Sequence, residues 1–107
     1  MKQIKAFIHH IRSAAVVEAL RDAGVTNITL LDVKGTLKPL SESEQAYSTE
    51  VGVVIISEVR VSLVCDDAEV ARITDIIRRA GRIGEGVSGW VYVSPVEQAL
   101  PIGGPDH

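Results

Sequence analysis

Along residues 2–10 apolar and polar positions alternate loosely, with Ile4, Ala6 and Ile8 on one face and Lys5, Phe7 and His9 on the other, which predicts a strand over Lys2–His10. The period then changes. Val16, Val17, Leu20 and Ala23 recur at helical spacing with Glu18 and Arg21 opposite them, Ser13 stands where an N-cap belongs and Gly24 where a helix stops, so the pattern predicts a helix over Ser13–Ala23. Val25, Ile28, Leu30, Leu31 and Val33 predict a strand over Val25–Lys34 that ends at Gly35. From there to about residue 50 the chain is polar and holds no period, a length of loop that is usually functional or disordered. Val51–Ile56 and Val59–Cys65 are β-branched and predict a third strand with a break near Ser57 and Glu58. Asp66 and Asp67 put negative charge at the start of a second helix, with Val70, Ile73, Ile77 and Ala80 on its buried face and Arg78 and Arg79 in its last turn. A glycine-rich stretch, residues 81–89, leads to a strand over Trp90–Ser94. Pro95 then predicts a short turn of helix through Leu100, and residues 101–107 form a breaker-rich tail.

The order β-α-β-β-α-β predicts an α+β, ferredoxin-like fold: an antiparallel sheet with both helices on one face. The other face is left uncovered. The strands Val51–Ile56 and Val59–Cys65 are expected to supply apolar residues to it, which must meet another subunit. A chain of 107 residues holds one domain (1–107), and its few large hydrophobes (Phe7, Trp90, Tyr47, Tyr92) make oligomerisation the expected source of further burial. A formal net charge of −3 removes the general attraction for nucleic acid. The longest uncharged stretches, around Val51–Ser57 and Val87–Val96, fall short of the roughly 18–20 apolar residues of a membrane span. The start of the chain carries a basic residue but no signal-peptide core or cleavage site, and the single cysteine, Cys65, allows no intrachain disulfide. Both point to the cytoplasm.

Four of the nine glycines fall in residues 81–89, where glycine lets the chain turn and lets a ligand approach backbone N–H groups. This is an anion cradle, or simply a helix C-cap followed by a turn into the next strand. It is not a Walker motif, because no Gly-Lys-Ser/Thr closes it and a strand follows. Catalytic constellations are missing: His9 and His10 are strand neighbours that point to opposite faces, and Cys65 reads as a small buried hydrophobe. In the long loop Glu42 and Glu44, with Ser41, Ser43, Ser48 and Thr49, suit modification or partner docking.

Three stretches together resemble the PII family of signal-transduction proteins. They are Val25–Gly35 with its terminal Val-Lys-Gly, Arg82-Ile83-Gly84-Glu85-Gly86, similar to the family's Lys-Ile-Gly-Asp-Gly, and Val91–Ala99 after that loop. The resemblance implies a homotrimer whose sheets face inward, with adenine nucleotides bound in clefts between subunits and no catalytic cofactor or metal. It implies a T-loop over about 36–57, read by a transporter or enzyme, a B-loop over about 81–89 and a C-terminal tail over about 101–107. By matched position Thr29, Gly35, Thr36 and Val64 line the adenine and ribose side, and Gly84, Glu85, Gly86, Val87, Ser88 and Gly89 the phosphates. Lys38, Glu42, Glu44, Tyr47 and Thr49 are the expected partner-contact residues.

The departures shape the expected function. Val87-Ser88-Gly89 replaces the B-loop lysine, and the C-terminal arginines are absent from residues 101–107, which shifts the expected ligand from ATP toward ADP or AMP, with Ser88 and Gly89 as neutral donors. Pro39 matches the glutamine that helps hold magnesium and 2-oxoglutarate, and the tyrosine uridylylated in enteric members falls at Val51, leaving Tyr47 as a weak substitute. Thr49 stands where some cyanobacterial relatives carry a phosphorylated serine. The pattern is similar to the divergent PII-like group linked to inorganic-carbon uptake and carboxysomes, which senses adenylates together with bicarbonate, and Arg60 and Arg82 are the candidate arginines for that small anion. A second reading is a metal-binding trimer like the CutA proteins, drawing on His9, His10, Cys65 and acids. A third is an enzyme on the same scaffold, with a lone histidine or scattered carboxylate as base.

Overall fold

Alternation along the first strand sets the core. In the computed structural model, which describes residues 1–35 and 56–104 and only the backbone of residues 33–35 and 56–57, β1 (Lys2–His9) buries Ile4, Ala6 and Ile8 on one face. It is followed by α1 (Ser13–Asp22), β2 (Thr29–Gly35), β3 (Ile56–Cys65), α2 (Val70–Ala80) and β4 (Trp90–Pro95). The four strands form one sheet in the order β2-β3-β1-β4 with every pairing antiparallel, so β2 and β4 are the two edges. This is the expected ferredoxin-like arrangement.

The register Ile4–Leu63, Ala6–Val61 and Ile8–Val59 lines up the inward residues of β1 and β3, and Val16 and Leu20 of α1 with Ile73 and Ile77 of α2 close over them as one core. Both helices therefore lie on the same face. Leu20 has no exposed surface, and Leu20→Ala leaves a cavity under α1. We expect it to cost about 2–5 kcal/mol in urea unfolding, and a loss below about 1 kcal/mol would contradict this packing.

Helix α1 stops as its sequence predicts. Gly24 takes φ of +89°, the Val25 N–H donates to the Leu20 carbonyl at 2.9 Å, and the Gly24 N–H donates to that of Arg21 at 3.0 Å. This is a Schellman motif, with Val25 and Leu20 buried as its apolar pair. Val25 is thus spent on closing the helix, and the strand begins at Thr29 instead.

Four other expectations are corrected. Ser13 is not the N-cap: a 3₁₀ turn over His10–Arg12 precedes α1, and the Ser13 hydroxyl donates back to the His10 carbonyl at 2.7 Å. A 3₁₀ turn over Asp67–Glu69 likewise precedes α2, so the acidic pair Asp66 and Asp67 stands at the start of that turn and not of the α-helix. Strand β3 has no break at Ser57 and Glu58, which pair with Lys34 and Val33 in a continuous ladder. No helix follows Pro95 among the described residues: the Val96 N–H donates to the Met1 carbonyl at 3.1 Å, which extends the β1–β4 ladder by a bond instead of opening a helical turn. The part of the third strand expected at 51–55 and the last residues, 105–107, lie outside the described residues.

The open face of the sheet takes less from residues 59–65 than expected, and residues 51–55 lie outside the described residues. Since Val59, Val61 and Leu63 point into the core, period two sends Glu58, Arg60, Ser62 and Val64 to the other side. Its apolar surface comes from Phe7, Leu31, Val64, Trp90 and Tyr92, with Phe7 and Tyr92 in an edge-to-face contact, ring centroids 5.9 Å apart. Glu58 sits opposite His9 in the β1–β3 register, and both are buried. Burial pushes the Glu58 carboxyl above its ordinary value. A carboxyl raised in the fold adds stability that is complete at low pH and lost as pH rises through its folded value. We therefore expect Glu58→Gln to melt above the wild type at pH 7.5 and the gap to close toward pH 4; a gap that widens on acidification would contradict this.

Candidate functional site

Ile77 and the residues after it carry the chain out of α2 without leaving the helix end bare. The Gly81 N–H donates to the Ile77 carbonyl at 2.9 Å, the Arg82 N–H to that of Arg79 at 3.4 Å, and Arg12 Nε to that of Ala80 at 2.9 Å. Gly81 is buried there, and a Cβ on it would stand 3.1 Å from the Ile77 oxygen and 3.3 Å from Ile8 Cγ2.

Beyond it the glycine loop closes on itself. Arg82 Nε donates to the Gly84 carbonyl at 2.9 Å, and Gly84 takes φ of +62°. The Ser88 hydroxyl accepts the Ile83 N–H at 3.0 Å and donates to the Ile83 carbonyl at 2.9 Å, with the Gly86 carbonyl at 3.3 Å as its alternative. Ser88 therefore staples the two ends of the loop, and its one hydroxyl proton is committed within it. Gly89 lies against β1, where a Cβ would run into the carbonyl oxygen of Phe7. Gly86 differs from both: its φ is not in the left-handed region, and a Cβ on it meets nothing within 4 Å. The fold gives no reason for that glycine.

Between this loop and α2 runs a groove of about 630 Å³, lined by Ile8 and Ile77 at its floor, by Gly86, Val87, Ser88 and Gly89 on one side, and by Asp75, Arg78, Arg79 and Arg82 on the other, with Trp90 and Val91 at the end. The four charged residues recur at i, i+3, i+4 and i+7, the spacing of one helix face carried two residues past its end. That spacing was available in the sequence; the short-range role of Arg78 and Arg79 at the helix terminus concealed it. Trp90, 57% exposed, was equally unmarked, because as a strand residue it reads as core.

The other expected site residues lie elsewhere. Thr29 is exposed on edge strand β2 opposite Ser62, and Val64 is half-buried on β3, its carbonyl accepting Asn27 Nδ2 at 3.1 Å. Both face the open side of the sheet. Gly35 ends β2 opposite Ile56, and Glu85 is exposed in the loop. Arg60 also faces the open side, with its buried Nε lacking a hydrogen-bond partner among the described residues, so one protomer does not bring Arg60 and Arg82 together. Thr36, Lys38, Glu42, Glu44, Tyr47 and Thr49 lie outside the described residues.

Among the described residues no group of three histidines, cysteines or carboxylates is placed to hold a metal, and no helix is long and apolar enough to cross a membrane. Partial burial, then the Asp66 and Glu69 carboxylates, push the Cys65 thiol up, which leaves little thiolate at neutral pH.

A groove with three arginines against one aspartate thus runs beside the glycine loop of an open-faced βαββαβ sheet. The comparisons give the family. A model described as nitrogen regulatory protein P-II matches residues 1–103. The nitrogen regulatory protein P-II of Nostoc punctiforme is 32% identical over 102 residues, which span 95% of this chain and 91% of the relative. Those of Bradyrhizobium diazoefficiens and Azospirillum brasilense are 33% and 30% identical over the same shares of each chain. This chain belongs to the P-II family, whose members are trimeric regulators of partner proteins rather than enzymes and bind adenine nucleotides.

Proposed function

We propose that this chain is a cytoplasmic PII-type regulator, a single domain that assembles as a homotrimer. It binds ADP or AMP in preference to ATP in the clefts between subunits and signals to a transporter or enzyme through a T-loop over residues 36–57. Bicarbonate, in inorganic-carbon metabolism, is its second ligand. The observation that carries this reading is the groove beside Gly86, a glycine that neither backbone conformation nor crowding demands and that leaves N–H groups open to a ligand.

The sheet order supports a cleft between subunits. Thr29 and Gly35 lie on one edge strand and the glycine loop leads into the other, three strand spacings or roughly 14 Å away, with the groove on the helix side and Thr29 on the open side. A nucleotide touching both sets bridges two protomers in a head-to-tail ring. The preference for short phosphate chains follows from the missing B-loop lysine and C-terminal arginines, since each charge-assisted hydrogen bond is worth about 1.5–3 kcal/mol.

Titration calorimetry with AMP, ADP and ATP, with and without bicarbonate, tests the proposal. It expects one saturable ADP or AMP site per protomer, weaker ATP, and an affinity that bicarbonate changes. If no adenylate binds at millimolar concentration, the assignment falls.

A further inference from the structure

Resting on that nucleotide-site reading, the geometry points to Arg78 and Arg82 as the cations that hold the mono- or diphosphate of a nucleotide in the groove. Three arginines line it against one aspartate. Arg79 differs in being ion-paired: its Nε lies 3.1 Å from the Asp75 carboxylate, which offsets one charge of each sign in the groove and leaves Arg78 and Arg82 as its net positive charge. The Arg78 side chain is exposed and makes no hydrogen bond or ion pair among the described residues. Arg82 uses only Nε, on the Gly84 carbonyl, so its two terminal nitrogens remain for a ligand while that bond fixes the guanidinium to the loop.

An anion at a helix C-terminus is ordinarily disfavoured. Here three of the terminal carbonyls of α2 already accept hydrogen bonds, from Gly81, Arg82 and Arg12, so the repulsive end is covered. Two uncommitted guanidinium groups match a phosphate monoester, which carries about −1.5 to −2 at neutral pH, better than a triphosphate. They occupy the role that the absent lysine and C-terminal arginines leave open, and they supply it from within the same protomer as the loop.

The test is ADP, AMP, inorganic phosphate and adenosine titrated into wild type, Arg78→Gln, Arg82→Gln, Arg82→Lys and, as a charge-matched control on α1, Arg21→Gln, each checked for an unchanged melting curve. Arg78→Gln and Arg82→Gln are expected to weaken ADP about tenfold each and to leave adenosine unaffected. Arg82→Lys, which keeps the charge but loses the Nε anchor and the paired terminal donors, should fall between wild type and Arg82→Gln, Arg21→Gln should not differ from wild type, and raised salt should narrow the gap between wild type and the two glutamine variants. Inorganic phosphate binding that drops in the same two variants places the charge contact on phosphate rather than on the nucleoside. If the wild type binds ADP and neither glutamine variant weakens it, or if adenosine weakens in parallel, the arginine assignment is wrong and the nucleotide reading survives. A wild type that binds no adenylate overturns both.

Discussion

Gly89→Ala is expected to destabilise the protein by about 3 kcal/mol or more, a large share of the roughly 5–15 kcal/mol that holds a domain together. The added Cβ meets the backbone oxygen of Phe7, not the end of a side chain, so no rotamer change relieves the clash. Relief requires β4 to move off β1 where Trp90 pairs with Phe7. That movement opens the edge of the sheet and unseats Val91, which packs on the core. Urea unfolding measures the loss, and a variant within about 1 kcal/mol of wild type would show that β4 does not approach β1 this closely.

Gly86→Ala is expected to do the opposite. Its Cβ enters open space and its φ suits any residue, so unfolding should shift by no more than about 0.5 kcal/mol, or rise slightly as the unfolded chain loses freedom. ADP affinity should nevertheless fall about tenfold, because the methyl group occupies the approach to the loop's N–H groups. The two glycines thereby separate what the fold needs from what the ligand needs. Equal ADP binding by Gly86→Ala and wild type would mean that the loop is only a turn into β4.

The contrast shows what was legible beforehand. A run of four glycines marked the loop, but composition could not say that Gly84 serves a turn, Gly89 a close approach and Gly86 neither. Strong local signals survived folding: the alternation of Ile4, Ala6 and Ile8, and the Leu20-to-Val25 helix stop, each depend on neighbours a few residues apart. Ser13 failed because a 3₁₀ turn takes up its hydroxyl, a competition that a capping signal does not register. The break at Glu58 failed because a polar residue on the open face interrupts the apolar pattern without interrupting the ladder. How much of the open face β3 covers is decided by its register with β1, a long-range fact: Val59, Val61 and Leu63 turn inward and only Val64 of that run turns outward. Arg78 lay in plain view, yet its position against the loop depends on how α2 seats over the sheet.

A crystal structure grown with ADP bears most directly on the central proposal. It should show three protomers in a closed ring, with each ADP phosphate against residues 84–89 and Arg78 of one protomer and its base near Thr29 and Val64 of the next. A monomer, or ADP held wholly away from the glycine loop, would contradict it.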